Sequence, residues 1–361
     1  MARPNQARLD LGALRHNLTL ARSLAPNSKL MAVVKANAYG HGAVTIASAL
    51  APLADALAVA CIEEAVELRE AGIATPILLL EGVFQPIELN TVAELGLWTT
   101  VDNERQLAWL EQTTLPNPVH CWLKIDSGMH RLGIAPNQVD HFYNRLQATA
   151  SVSPDPVLCT HFGCADDLGS SRTEQQIDCF TTATRSLPGK RSAANSPGLL
   201  GWPSSHFDWV RPGYMLYGNS PFTQPHPNAE TLQPVMTLCS GIISVREVAT
   251  GKAVGYGAAW TAPRPSRIAT VTIGYGDGYP RNARSGTPVL VKGQRAPLVG
   301  RVSMDMITVD VTELDDVQIG DEVVLWGKGL PLGEVAQRAD TIGYELTTRM
   351  PMRTPRVVVL D

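Results

Sequence analysis

The sequence predicts an α/β fold in which an N-terminal (β/α)8 TIM barrel is followed by a C-terminal domain that is mostly β. The chain has 361 residues, which is more than one hydrophobic core usually serves. Up to about residue 216, short apolar runs alternate with amphipathic helical patterns, as in parallel βα units. After about residue 233, short strand-like runs separated by turn residues take over, which is typical of a β-barrel or sandwich.

Eight apolar runs in the first part have the length and composition of buried parallel strands. Helical patterns lie between them, for example residues 62–71 and residues 102–111, for which Asp102 is the expected N-cap. No Gly-x-Gly-x-x-Gly follows the first strand, so a closed barrel is favoured over an open, doubly wound sheet. The predicted strands are residues 30–34, 56–60, 77–80, 97–100, 119–125, 157–160, 191–194 and 209–211.

The segment 221–228 is rich in proline and polar residues and is the predicted linker. We therefore assign residues 1–231 to the barrel and residues 232–361 to the β domain, with the first ten residues compatible with either. The strands predicted for the second domain are residues 268–273, 287–291, 306–311, 322–326 and 356–360.

Composition excludes several classes of partner. A formal net charge of −4 and a pI near 6.1 argue against nucleic acid or an anionic membrane. The longest apolar runs are far too short to span a bilayer, and no segment of signal-peptide type opens the sequence, so we expect a cytoplasmic protein. The six cysteines are scattered, and the cluster Cys159-Thr160-His161-Phe162-Gly163-Cys164 has no second ligand pair. We therefore predict neither a disulfide framework nor a metal site.

Lys35 lies in the run Met31-Ala-Val-Val-Lys-Ala-Asn-Ala-Tyr-Gly-His-Gly42, where an apolar strand ends on a lysine and a glycine-rich turn then opens a helix. Burying a charged lysine at a strand end is costly, because the ammonium loses its hydration. Such a lysine is either paired with a carboxylate or used uncharged, as a nucleophile or Schiff base. We favour a lysine that carries a cofactor, with a structural strand-end lysine as the alternative.

Polar residues and glycines follow the ends of several predicted barrel strands. Active sites of such barrels lie at the carboxyl ends of the strands, and their phosphate sites often use the loops after strands seven and eight. Taken singly, each residue has a plain structural explanation, since a serine caps helices and a histidine can be satisfied in a core. Their common placement predicts one site at this rim. The residues concerned are Lys35, Lys124, His161, Asn195, Ser196, Arg211, Gly213 and Tyr214.

Two segments of the second domain also stand out. Val254-Gly-Tyr-Gly-Ala258 places Tyr256 between two glycines, and a turn tyrosine and a functional one are equally compatible with this pattern. Gly300-Arg-Val-Ser-Met-Asp-Met306 resembles the start of a strand with an Arg301–Asp305 pair. Standard nucleotide-binding, serine-hydrolase and zinc-protease motifs are absent from the sequence.

Taken together and in this order, these segments resemble alanine racemases, which use pyridoxal phosphate and form the fold-type III barrel family. The resemblance covers nearly the whole chain. The segments that carry it are residues 33–42, 124–133, 160–162, 194–196, 210–218, 255–258, 273–279 and 300–305.

The resemblance implies that Lys35 carries pyridoxal phosphate and that L-alanine and D-alanine are interconverted by two bases, one on each face of the cofactor. These bases would be Lys35, serving the D-enantiomer, and Tyr256, serving the L-enantiomer. The unperturbed pKa of tyrosine is about 10, so its hydroxyl is protonated at neutral pH, and a basic phenolate needs positive charge close by. In the family a histidine–arginine network lies near the tyrosine, and His161 and Arg211 match it.

The resemblance also implies the remaining contacts. Family members are head-to-tail homodimers with shared active sites, so Tyr256, Met304 and Asp305 would reach the Lys35 of a second copy. Lys124 matches a lysine that is carbamylated in some members, and Ser303 stands where some have cysteine. Substrate would be bound by Arg131, Met304, Asp305 and Tyr275. The cofactor would be held by Lys35, Tyr39, Arg131, His161, Asn195, Ser196, Arg211, Gly213, Tyr214 and Tyr344.

Three alternatives stay open on the sequence. A non-enzymatic pyridoxal-phosphate carrier resembles the barrel alone, whereas this chain has a second domain. A broad-specificity amino-acid racemase would use the same site, but that group is usually exported. A fold-related decarboxylase would carry a different second domain and a cysteine near the substrate carboxylate.

Overall fold

The computed structural model describes residues 3–359. The two residues at each end of the chain, 1, 2, 360 and 361, lie outside the described residues, and residue 360 is also the end of the last predicted strand. Strands β2 to β9 pair in parallel, each with the next, and β2 pairs with β9, which closes an eight-stranded barrel. The prediction of a (β/α)8 barrel is therefore confirmed. The strands of this part are β1 (Gln6–Asp10), β2 (Lys29–Val33), β3 (Ala56–Val59), β4 (Ile77–Leu79), β5 (Trp98–Val101), β6 (His120–Lys124), β7 (Val157–Cys159), β8 (Arg191–Ser192) and β9 (Trp209–Val210).

Helices cover the outside of the barrel and bury their apolar faces against the strands. The helix after β5 begins one residue later than predicted, because the strand continues to Val101. Asn103, not Asp102, is the N-cap, and its side chain accepts from the backbone N–H of Gln106 at 3.0 Å. The helices of this part are Leu11–Leu24, Ala43–Leu50, Ile62–Glu70, Glu88–Glu94, Glu104–Gln112, Val139–Ala148, Arg172–Thr184, Ser196–Gly201 and Pro227–Glu230.

The second half of the chain forms a mostly antiparallel sheet with the order β13-β16-β15-β14-β17-β10-β1-β18. Strand β10 also pairs with β13, so the sheet curls until its first strand meets β10. The N-terminal strand β1 lies in this sheet, antiparallel to β10 and parallel to β18. Its strands are β10 (Met236–Val248), β11 (Ala253–Val254), β12 (Trp260–Thr261), β13 (Ser266–Val271), β14 (Pro288–Val291), β15 (Gln294–Val299), β16 (Ile307–Asp310), β17 (Glu322–Trp326) and β18 (Arg356–Val359).

The mostly-β prediction for this half is confirmed, although β10, β11, β12 and β15 were not predicted. Two helices, Leu332–Arg338 and Gly343–Thr348, pack beside the sheet. The second of them contacts the Lys35–Tyr39 segment at the mouth of the barrel, so the β domain adds a wall to that mouth. Within residues 3–359 the structure has no helix that is both long and apolar enough to cross a membrane.

Candidate active site

A cavity of about 560 Å³ opens at the carboxyl ends of the barrel strands. Its volume is in the range of small-molecule and cofactor sites. Its floor includes Trp122, which lies inside the barrel against Trp209. The cavity brings together all ten residues predicted to bind the cofactor: Lys35, Tyr39, Arg131, His161, Asn195, Ser196, Arg211, Gly213, Tyr214 and Tyr344.

Lys35 follows β2 and opens a tight left-handed turn, not the right-handed helix that the sequence predicts at this point. The next four residues, 36–39, have φ between 51° and 53°, and the right-handed helix starts only at Ala43. A left-handed residue other than glycine costs roughly 1–2 kcal/mol, and runs of them are rarely seen. The surrounding structure must therefore impose this turn.

Side chains hold the turn from several directions. Glu64 accepts from the backbone N–H of Ala36 at 2.6 Å and from that of Ala60 at 2.8 Å, which ties the turn to the end of β3. Asn37 accepts from the backbone N–H of Ala43 at 2.7 Å. The buried His41 ring contacts the carbonyl oxygen of Tyr39 through Nδ1 at 3.0 Å. These contacts fix the direction in which Lys35 and Tyr39 leave the backbone.

The loops after β8 and β9 form a cradle at one side of the cavity. Ser196 Oγ accepts from the backbone N–H of Gly213 at 2.9 Å and from that of Met215 at 3.2 Å. Asn195 caps the following helix by accepting from the N–H of Gly198 at 3.1 Å. A Cβ at Gly213 would lie 2.6 Å from the Tyr39 hydroxyl, so only glycine leaves this cradle open.

Tyrosines line the same side. The rings of Tyr214 and Tyr344 stack with centroids 3.6 Å apart, and the ring of Tyr39 stacks on Tyr217 at 4.8 Å. Burial raises the pKa of the Tyr39 hydroxyl to about 12 and raises the pKa values of Tyr214 and Tyr344 as well. All three hydroxyls therefore stay protonated at neutral pH and can donate hydrogen bonds to an anion.

Cationic side chains also line the cavity. Arg211 is buried and donates to the carbonyl oxygens of Thr160 at 2.6 Å and Ala193 at 3.2 Å. Burial, and then the charges of Arg211 and Lys124, lower the pKa of His161 well below its usual value, so this ring is neutral near pH 7. Burial is also the main cause that lowers the pKa of Lys124.

Arg131 projects from the loop after β6. Asp126 folds this loop by accepting from the backbone N–H groups of Gly128 at 3.0 Å and His130 at 2.9 Å. A Cβ at Gly133 would lie 2.6 Å from the backbone nitrogen of Asp126, so the loop closes on itself only because this residue is glycine.

Four predicted residues lie outside this cavity. Tyr256 is 71% exposed, Met304 53% and Tyr275 41%. They lie with Asp305 on the surface of the C-terminal half, and Asp305 pairs with Arg353. The expected Arg301–Asp305 pair is therefore wrong, and residues 301–306 precede β16 as a loop. The structure of one chain does not bring these four residues to Lys35.

Sequence reasoning missed residues that support the site. Tyr217 donates from its hydroxyl to the carbonyl oxygen of Val33 at 3.0 Å, beneath the turn. Its signal was the run 210–218, which contains two tyrosines and two glycines. Glu64 was one of several acidic residues on its helix, so composition could not distinguish it.

Comparison with known proteins agrees with this geometry. Residues 9–221 match the family model of the alanine racemase N-terminal domain, and residues 235–358 match that of the alanine racemase C-terminal domain. The chain is 53% identical over 356 residues to an alanine racemase of Chromohalobacter salexigens, covering 99% of this chain and 98% of that protein. It is 52% identical over 354 residues to the catabolic alanine racemase of Pseudomonas putida, covering 98% of each.

Among solved structures, the biosynthetic alanine racemase from Pseudomonas aeruginosa superposes with a TM-score of 0.96 at 46% identity, covering 99% of this chain and 100% of that one. The alanine racemase from Acinetobacter baumannii gives 0.93 at 38% identity, with the same coverage. Both halves of the chain and their arrangement are thus shared with these proteins. The chain belongs to the alanine racemase family.

Proposed function

We propose that this protein is a pyridoxal-phosphate-dependent racemase that interconverts L-alanine and D-alanine. The observation that carries the proposal is the barrel-mouth cavity, in which Lys35 lies beside a cradle that only Gly213 leaves open. Family membership supports the same activity. The product would supply D-alanine for peptidoglycan, or the reaction would feed alanine breakdown.

The cavity residues fit the cofactor. The backbone N–H of Gly213 with Ser196, and the hydroxyls of Tyr39, Tyr214 and Tyr344, would hold the phosphate, while Lys35 would carry the group through its amine. Asn195 shapes the cradle as the cap of its helix, and Arg131, His161 and Arg211 would also contact the cofactor. When bound, pyridoxal phosphate acts as an electron sink for charge that develops at the substrate Cα.

Two bases follow from the stereochemistry, because racemisation removes a proton from one face of Cα and returns one to the other. We assign these roles to Lys35 Nζ and Tyr256 Oη. A positioned acid or base of this kind contributes roughly 10²–10⁴-fold in rate. Since Tyr256 is exposed and outside its own chain's cavity, we assign it to the cavity of a second copy in a homodimer with shared active sites.

The same second copy would contribute Met304, Asp305 and Tyr275 to substrate binding, with Arg131 facing the substrate carboxylate. In this division residues 1–231 hold most of the cofactor, and residues 232–361 supply Tyr344 to it and the second base to the other copy. A small pocket distinguishes alanine from a substrate one methylene larger by only about 1–3 kcal/mol, so we expect slow turnover of similar small amino acids.

We also propose a cytoplasmic location, with no nucleic acid or membrane partner. All six cysteines are unpaired, which fits a reducing compartment.

The experiment combines an absorbance spectrum, borohydride reduction with peptide mapping, and an assay of D-alanine formed from L-alanine. We expect a yellow protein, a label fixed on Lys35, and racemisation. Lys29→Ala is the matched control, since Lys29 is an exposed lysine at the start of β2, the strand that Lys35 follows, and its loss should leave the label in place. A yellow, labelled protein that does not racemise alanine would instead indicate another amino acid or a carrier role. A protein that pyridoxal phosphate cannot reconstitute would overturn the proposal.

A further inference from the structure

Arg356 begins β18, at the end of a basic segment that the proposed function leaves without a role. Its guanidinium is half-buried and extends from the C-terminal sheet to the mouth of the barrel. There Nε and Nη2 donate to the carbonyl oxygen of Gly40 at 3.0 and 2.8 Å. Gly40 ends the left-handed turn that starts at Lys35. The contact therefore joins residues 316 positions apart in the sequence.

The other donors of Arg356 hold the segment that precedes β18. Nη1 donates to the carbonyl oxygens of Pro351 at 2.6 Å and Thr354 at 3.0 Å, and Nη2 donates to that of Met350 at 2.7 Å. A guanidinium has five N–H groups in a fixed planar arrangement, and here all five are used on backbone carbonyls. One side chain thus links the turn rigidly to the end of the β domain.

Gly40 is confined from the other side as well. It has φ of 80°, and a Cβ built on it would lie 1.8 Å from the carbonyl oxygen of Thr347. The end of the turn therefore lies directly against helix Gly343–Thr348. Its carbonyl is at the negative end of the turn's peptide dipoles, where a cation is stabilising.

We propose that Arg356 is a positioning residue for cofactor binding. By holding the Gly40 carbonyl, it keeps residues 36–39 in the left-handed conformation that directs the Lys35 amine and the Tyr39 hydroxyl into the cavity. Arg356 lines no part of the cavity itself and acts through the turn. This inference rests on the proposed function, because that function places a cofactor next to the turn.

Arg69 offers a matched control at the opposite end of the barrel. It is also an arginine whose hydrogen bonds run to backbone carbonyls, among them Leu95 at 3.0 Å, Ile73 at 2.6 Å and Thr75 at 2.9 Å. Ile73 and Thr75 precede β4, whereas the cavity lies beyond the carboxyl ends of the strands. Arg69→Met removes a similar set of hydrogen bonds without touching the turn.

The test compares Arg356→Met, Arg356→Lys and Arg69→Met in the full chain freed of cofactor. We would measure the dissociation constant of added pyridoxal phosphate, the amide hydrogen exchange of residues 34–42, and the melting temperature. Hydrogen bonds from a charged donor are among the stronger ones, so Arg356→Met should raise the dissociation constant about tenfold or more and speed the exchange. Arg356→Lys should recover part of the affinity and part of the protection from exchange. One ammonium keeps the charge but cannot reach both the Gly40 carbonyl and the carbonyls of residues 350–354. Arg69→Met should lower only the melting temperature.

Wild-type affinity and exchange in Arg356→Met would overturn the inference. So would equal losses of affinity in Arg356→Met and Arg69→Met, since these would reflect stability alone. If Arg356→Met does not fold, unchanged affinity and exchange in Arg356→Lys would overturn it in the same way. A wild-type protein that binds no pyridoxal phosphate would overturn the proposed function, while the exchange comparison, which needs no cofactor, would still test Arg356.

Discussion

The barrel mouth and the exposed face of the C-terminal half present the proposed catalytic residues in opposite ways. At the mouth, Lys35 and the residues around it line a walled cavity whose backbone is fixed from several elements. On the other face, Tyr256 and Met304 extend into solvent. The loop that carries Tyr256 has glycines with φ of 75° and 69° on either side of it.

The difference indicates that one chain holds a complete cavity at the barrel mouth, whereas its exposed face forms only one side of a site. Large apolar side chains grouped on a surface commonly mark an interface. In the proposed function the cavity takes the cofactor within one chain, whereas Tyr256 acts as a base only in the cavity of a second copy. The predictions below separate these two regions.

The largest effect should come from removing one base in each region. We expect Lys35→Ala to abolish racemisation and Tyr256→Phe to lower kcat by roughly 10²–10⁴-fold. Mixing the two inactive proteins should restore activity, because a mixed dimer pairs an intact Lys35 with an intact Tyr256 from the other chain. With free exchange, half of the dimers are mixed and each has one whole site, so about a quarter of wild-type activity should return.

The control is a mixture of Lys35→Ala with a Lys35→Ala,Tyr256→Phe double variant, which can form no whole site. Subunit exchange would be followed independently with a tag on one partner. Subunit exchange without any return of activity would show that the two bases do not meet in a site shared between two chains.

A second prediction concerns pH and the barrel mouth. Burial lowers the pKa of His41 to about 4, with a further contribution from the charge of Arg356. The unfolded chain binds this proton near pH 6.5 and the folded chain only near pH 4, so stability from this residue is full above pH 6.5 and is lost as the pH falls toward 4. The loss amounts to about 3 kcal/mol over that window.

His41→Asn retains a donor near Nδ1 but does not titrate. The variant should be less stable than wild type at pH 7, and the gap in free energy of unfolding should narrow by about 3 kcal/mol toward pH 4. Urea unfolding at several pH values measures this. The matched control is His16→Asn, which makes the same replacement at an exposed histidine of helix Leu11–Leu24. A gap that stays constant with pH would show that the folded and unfolded chains bind this proton at the same pH, so that the pKa of His41 is not lowered.

The difference between the two regions also explains how much the sequence could predict. Residues of the mouth such as His161 and Ser196 each follow a barrel strand, so the position of a strand end, a local feature, was enough to group them. The left-handed turn could not be predicted, because Ala36, Asn37 and Ala38 individually favour other conformations. Contacts that the local sequence does not announce hold it, among them that of the distant Glu64 with the backbone N–H of Ala36.

Strand β10 shows the same limit in the C-terminal half. Its burial pattern changes along its length, because residues 236–241 pair with β1 and β17, whereas residues 242–248 pair with β13. Neither a period of two nor a continuous apolar run describes such a strand. Likewise, the roles of Tyr256 and Met304 came from the resemblance alone, since an exposed turn tyrosine carries no local signal of its partner.

A third prediction perturbs the exposed face and spares the mouth. Asp277 is buried and accepts from Arg3 at 2.9 Å and from Arg353 at 3.0 Å, and Arg353 also holds Asp305. Asp277→Asn leaves both guanidinium groups without their shared carboxylate, which should lower the free energy of unfolding by about 2 kcal/mol. The KM for alanine should rise, because the loop that carries Met304 and Asp305 loses its anchor. The affinity for pyridoxal phosphate should stay as in wild type.

Glu334→Gln is the control for this change. Glu334 pairs with Arg295 at 2.7 Å on the surface, and exposed pairs contribute about 1 kcal/mol or less. The variant should leave KM unchanged. If Asp277→Asn weakened cofactor binding as much as substrate binding, the two regions would be coupled and the comparison between them would not hold.

The smallest effect is expected from the converse change, a substitution that alters the barrel mouth and leaves the exposed face as it is. In Gly213→Ala the new Cβ would lie 2.6 Å from the Tyr39 hydroxyl, so the tyrosine must move and the cradle narrows. The φ of Gly213 is negative, at −127°, so alanine adds no left-handed strain. We expect an unchanged fold and dimer, with a dissociation constant for pyridoxal phosphate about tenfold higher, equivalent to about 1.4 kcal/mol.

Gly333→Ala is the control, because a Cβ at that position of helix Leu332–Arg338 meets nothing within 4 Å. Equal affinities in the two variants would mean that the phosphate does not occupy the cradle, whereas a weakened dimer in Gly213→Ala would mean that the mouth and the exposed face fold as one unit.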